Sequence, residues 1–173
     1  TYAVGGVLII GSNSTLGTNT GTTYIGGGGT LNLSGGNQVQ SLVYITNGIA
    51  TNGSFSNTVV QGFTGTNTIA TALVGTSSLL AGSLASTNNN GSSITYLTSS
   101  NNSYAGGTTI SGATLIVTNG GTLGTNTGTT TLTNHATLDL GTTTQVQRLM
   151  AMSGCLISNG NISNTGVLFT AGT

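Results

Sequence analysis

The nonapeptide TLGTNTGTT occurs twice, at residues 15–23 and 122–130. The copies stand 122 − 15 = 107 residues apart, and that offset aligns residues 1–66 with 108–173 without a gap. LNL at 31–33 meets LDL at 138–140, QVQSL at 38–42 meets QVQRL at 145–149, and NGSFSNT at 52–58 meets NGNISNT at 159–165. Matched Leu, Gln and Val are not products of a Thr/Gly-rich composition. A chain built as one 107-residue unit plus 66 residues of the next stacks like on like. The linking stretch, residues 67–107, has no partner in the sequence. We read residues 1–173 as a single segment that opens in mid-unit, either part of a longer array or descended from one.

The second constraint is charge. One residue is Lys or Arg, one is Asp or Glu, and one is His. A nucleic-acid binder meets phosphates with Lys and Arg, and only Arg148 is present. Acid–base catalysis usually draws on two placed titrating groups; the inventory is Asp139, His135, Cys155 and five Tyr. A carboxylate metal site would have one carboxylate. No apolar run approaches a membrane helix; none is longer than Val7-Leu8-Ile9-Ile10. The sequence shows no initiator Met and no signal peptide, so it reads as a mature product or an excised piece.

Disorder is the rival reading for a chain rich in Gly, Ser and Asn. Disordered chains are poor in apolar residues and carry net charge. Here apolar residues make 35%, net charge is zero and proline is absent. Mean hydropathy is +0.23. Thr, Ile and Val number 36, 11 and 10, so a third of the side chains are β-branched and favour strands.

Alternation marks short strands at Thr114-Leu-Ile-Val, Thr30-Leu-Asn-Leu and Thr137-Leu-Asp-Leu. Gly35-Gly36, Asn47-Gly48, Asn52-Gly53, Asn90-Gly91, Gly106-Gly107, Asn119-Gly120-Gly121 and Asn159-Gly160 punctuate them, because Gly and Asn accept positive φ. Short strands, even turns and a long-period repeat predict an all-β parallel solenoid. Rungs about 4.8 Å apart would repel if charged alike, whereas stacked Asn and Thr can hydrogen-bond. Coils of about 20 residues give eight or nine coils and a rod of roughly 40 Å. Residues 5–17 and 112–124 would build the repeated coil, with Leu8, Ile10, Leu16, Leu31 and Leu33 in its core.

Residues 103–124 read SYAGGTTISGATLIVTNGGTLG. They resemble the passenger-associated transport repeat, also called the autotransporter-associated β-strand repeat, of secreted bacterial surface proteins. Tyr104, Gly106, Gly107, Thr108, Ile110, Gly112, Leu115, Leu123 and Gly124 fit its pattern, and Ala113 departs from it. The first copy keeps Gly5-Gly6 and Leu16-Gly17 but lacks the preceding Tyr-x-Gly-Gly. The resemblance implies a right-handed parallel β-helix, secretion to the cell surface or beyond, a stalk-like role and no catalytic residues.

Each candidate site has a plainer reading. His135 and Asp139, four apart on one strand, would sit about 13 Å apart, too far to bond. Their equivalents in the first copy are Gly28 and Asn32, so the pair is not a property of the unit. Arg148, nine residues from Asp139, would pair with it across neighbouring coils. Cys155 reads as a small packing residue. Gly26 to Gly29 lacks the Lys and helix start of a phosphate loop and reads as a turn. Six sequons, at Asn13, Asn32, Asn52, Asn90, Asn101 and Asn161, match the number expected by chance. Thr125, Thr127, Thr129, Thr131 and Thr133 alternate and would present five hydroxyls on one strand face, as on an ice-binding surface.

The sequence-level expectation is therefore a non-catalytic structural segment of a secreted or cell-surface bacterial fibre. It would self-associate, head-to-tail or laterally, through coil ends or edges, with no cofactor, metal, nucleic acid or membrane insertion. The alternative is an adhesin or an ice-binding solenoid that uses a Thr-rich face, and any surface or glycan ligand is left unassigned.

Overall fold

The computed structural model describes residues 1–83, 93–152, 154–163 and 167–170. The chain is all-β, with parallel strands stacked about 20 residues apart into a β-solenoid of about 7 turns, fewer than the eight or nine expected from length, in part because the step from Leu79 to Thr108 takes more residues than the others. Among the described residues, nine rungs stack on the first face in the order Tyr2–Val4, Thr22–Gly26, Leu42–Thr46, the start of Val59–Ile69, Ser78–Gly82, Thr108–Ser111, Thr129–Thr133, Arg148–Met152 and Val167–Thr170. On the second face eight rungs stack: Val7–Ile9, Thr30–Asn32, Ile49–Thr51, the end of Val59–Ile69, Ser93–Leu97, Thr114–Val117, Thr137–Asp139 and Leu156–Ser158. At the parallel spacing, the first face is about 38 Å long.

A third face is shorter and interrupted. Asn37–Gln38, Ser54–Ser56 and Ala72–Val74 form one small sheet, and Thr144–Gln145 and Asn161–Ile162 form another. The chain thus visits three faces per coil. Most steps between rungs take about one coil: Tyr2 pairs with Tyr24, Tyr24 with Tyr44, Leu42 with Val59. One step is longer, Leu79 to Thr108, and residues 84–92 within it lie outside the described residues. The Asn90-Gly91 turn and the Asn90 sequon lie there.

Strands recur at the sequence offset. Thr22–Gly26 and Thr129–Thr133 are 107 apart at both ends, as are Thr30–Asn32 and Thr137–Asp139, and Asn37–Gln38 and Thr144–Gln145. Inward side chains make the core. Leu16, Leu31 and Leu33 are buried, as are their equivalents Leu123, Leu138 and Leu140. Leu8 and Ile10 are half-buried against that core.

The corner between the first and second faces is a column of left-handed residues. Gly5, Gly27, Asn47, Gly65, Gly112 and Asn134 have φ between 54° and 69°. The chain reverses its pleat there in one residue, which only Gly and Asn do cheaply. At Gly65 the strand Val59–Ile69 continues through the corner from one face to the other.

Candidate functional site

The sequence-level candidates do not converge. His135 is exposed and lies in a turn with φ 57°, not on a strand with Asp139 as expected. Its position is that of Gly28, which also has positive φ. Asp139 ends a second-face strand, and its Oδ1 accepts from Gly141 N at 2.9 Å. Asn32 Oδ1 accepts from Ser34 N in the same way, also at 2.9 Å. The carboxylate therefore does the corner-capping work of its Asn equivalent. Its other oxygen accepts from Asn159 Nδ2, one coil on.

Arg148 corrects a second expectation. It is exposed on the first face, where its backbone is in register with Thr129, while Asp139 is on the second face. Different faces separate the two charges, so adjacent coils do not join them. Cys155 is half-buried and packs against the core. Gly26 closes a strand, and Gly27 and Gly28 turn with positive φ, as the turn reading requires.

The Thr array is shorter than its sequence implies. Only Thr129, Thr131 and Thr133 share the outward side of a strand. Thr125 and Thr127 lie in the preceding turn, their hydroxyls 2.7 Å from each other. Across the rungs the Thr131 position is held by Thr109, Leu80, Gln61, Tyr44, Tyr24 and Tyr2. The face is a mixed column, not a Thr plane.

Two features carry the chemistry that single residues did not announce. The first is the Gln-Val-Gln motif. Gln38, Gln40, Gln145 and Gln147 are all buried. Gln38 Oε1 accepts from Leu16 N at 2.8 Å, and its Nε2 donates to Ser14 O at 2.9 Å. Gln145 repeats this with Leu123 N at 2.9 Å and Gly121 O at 3.0 Å. In both copies the preceding coil has no strand on the third face. The carboxamide supplies one donor and one acceptor to its backbone, as a strand would. Gln40 and Gln147 accept from the inward hydroxyls of Thr23 and Thr130 at 3.0 and 3.3 Å. Asn102 plugs another gap, accepting from Leu73 N and donating to Thr122 O, both at 2.8 Å. The repeated QVQ could have raised this reading, since two Gln flanking one Val place both amides on one side of an extended chain.

The second is the motif from Tyr104 to Gly124. Tyr104 is fully buried, and its phenol lies 2.6 Å from Thr108 Oγ1. Burial pushes the Tyr104 pKa well above the ordinary tyrosine range, and the Thr108 contact offsets part of that shift. A Cβ on Gly106 would come within 2.6 Å of Ser77 O. Gly107 turns with φ 83°, and a Cβ on Gly124 would stand 2.5 Å from Tyr104 O. These glycines let a coil close around a large inward ring.

A solvent-open hollow of about 200 Å³ is lined by Tyr2, Ala3, Val4, Gly6, Val7 and Leu8 and holds no titrating side chain other than Tyr2. Among the described residues no three of His, Cys, Asp and Glu cluster to hold a metal ion, and no helix is long and apolar enough to cross a membrane. Comparison with family models, curated proteins and solved structures finds no match.

Proposed function

We propose that the chain is a non-catalytic, structural β-solenoid segment of a secreted or cell-surface bacterial fibre, and that it self-associates through its coil ends or edges. The observation that carries this reading is the use to which polar side chains are put. The one carboxylate caps a corner, and the buried amides bridge coil to coil. The chemistry is spent on building a rod. Secretion and a bacterial surface rest on the resemblance of residues 103–124, whose Tyr, Gly and Thr positions each have a packing role in the coil.

Self-association is favoured by uncharged rungs. Residues 1–66 contain no Lys, Arg, Asp or Glu to oppose pairing with another copy. Sedimentation velocity across a concentration series tests this. The expected result is growth in mass with concentration, reduced by Val7→Lys, which sets a charge on the first coil. A single species at all concentrations would remove self-association from the reading. Hydrolase activity lost on changing His135 or Asp139 would remove the non-catalytic part. The ice-binding alternative has less support, because turn residues interrupt its Thr array and aromatic rings occupy the same column.

A further inference from the structure

The outward column of the first face changes character along the rod, and the internal repeat supplies the comparison. Tyr2, Tyr24 and Tyr44 occupy three consecutive rungs in register. Their column ends on Gln61, whose amide turns in to donate to Gly82 O at 2.7 Å. One unit later, the equivalents of Tyr2 and Tyr24 are Thr109 and Thr131. The strands that carry Tyr2 and Tyr24 recur in the second copy with the same pairing, so these two rings are not demanded by the fold; the Tyr44 rung slips by one residue there, Thr129 pairing with Arg148.

The rings have a built seat. A Cβ on Gly26 would meet Tyr24 Cε1 at 2.5 Å and its Oη at 2.8 Å, so the Tyr24 ring lies down over Gly26. In the second copy both members of this pair differ together, as Thr131 and Thr133. A ring laid on a glycine turns one π-face outward. Tyr2 stands beside it, its centroid 6.0 Å from that of Tyr24 and its plane tilted by 46°, and Phe63 meets Tyr44 edge-on at 6.1 Å. Tyr2 and Phe63 are exposed, and Tyr24 and Tyr44 are half-exposed. Thr22 and Thr46, two residues from Tyr24 and Tyr44 on their strands, share the outward side and are not buried.

We propose that this aromatic column is a binding platform for an extended, neutral, β-linked glycan lying along the rod axis. Sugar rings stack their C–H faces on tyrosine, and flanking hydroxyls meet the sugar hydroxyls. Rungs about 4.8 Å apart match the advance of such a glycan by roughly one sugar per rung. Residues 1–66 hold no Lys, Arg, Asp or Glu, so an anionic glycan or nucleic acid would find no counter-charge. A second copy is a poor occupant. Three rungs of five residues offer on the order of 250 Å², against about 800 Å² per partner in a stable protein interface.

Saturation-transfer NMR, with the tyrosine ring protons of the whole chain saturated and the transfer read on the cellohexaose signals, tests the proposal, with coiled α-linked maltohexaose as comparison. Cellohexaose is expected to bind and maltohexaose to bind more weakly. Tyr24→Thr, which installs the residue the second copy carries, is expected to weaken cellohexaose binding about tenfold, the size of one stacking contact. Gly26→Thr keeps the ring but lifts it from its seat, and is expected to weaken binding as well. Thr131→Ala is expected to change nothing. Circular dichroism confirms that each variant keeps the fold. Absent transfer to cellohexaose in the unaltered chain overturns the proposal, as does binding unchanged in Tyr24→Thr. Loss of self-association in Tyr24→Thr without sugar binding overturns it in favour of a copy-to-copy contact.

Discussion

At the scale of single residues, this chain uses polar side chains inside its core where most folds use backbone. Gln145 joins Leu123 N and Gly121 O of the preceding coil. Gln145→Ala strands both groups in the interior, and stability is expected to fall by about 1–3 kcal/mol, measured as a lower urea midpoint. Thr95 is the converse case. Its hydroxyl is buried without a hydrogen-bond partner, against Gly62. Thr95→Val keeps the shape and removes that hydroxyl, so the urea midpoint is expected to rise by the equivalent of about 1 kcal/mol. Tyr104 sets an alkaline limit. Its folded pKa is raised by burial, so its contribution is intact below the unfolded value near 10 and is lost as pH rises beyond it. Alkaline absorbance titration is expected to leave at least one tyrosine protonated in the native chain and to recover it on denaturation. Core leucines 16, 31 and 33 were readable from alternation, whereas the buried glutamines were not. A Gln in sequence looks like a surface residue unless the gap it fills is known.

At the scale of elements, corners decide where strands stop. Asn47 stands in the left-handed column with φ 55°. Asn47→Val is expected to cost about 1–2 kcal/mol and Asn47→Gly much less, again read from urea midpoints. The Asn47-Gly48 pair marked this corner in sequence, and Asn52-Gly53 and Asn119-Gly120 marked turns elsewhere on the coil, whereas Gly65, Gly112 and Asn134 stand in no such pair. Periodicity misled where a corner was hidden. Thr125 to Thr133 alternates without a break, yet the strand begins at Thr129 because Gly128 and the turn before it belong to the corner. His135 was misplaced for the same reason, as it takes the turn position that Gly28 holds in the first copy. The aromatic column was not legible in the sequence, where Tyr2, Tyr24 and Tyr44 stand about 20 residues apart. Its meaning needed the register that sets Tyr2, Tyr24 and Tyr44 on successive rungs.

At the scale of the molecule, the solenoid is held by contacts between neighbouring coils and by almost no charge. With Asp139 and Arg148 on different faces, the urea midpoint is expected to stay nearly constant between low salt and about 1 M NaCl, and salt is not expected to disperse assemblies. The architecture was legible because the 107-residue offset, the missing charges and the turn spacing all require stacked, parallel, uncharged rungs. The central claim is that such a rod works by joining others of its kind. Electron microscopy of the purified chain in ordinary buffer tests it most directly. Regular filaments with an axial repeat near 4.8 Å are the expected result. Dispersed rods about 40 Å long, unchanged as concentration rises, would contradict it.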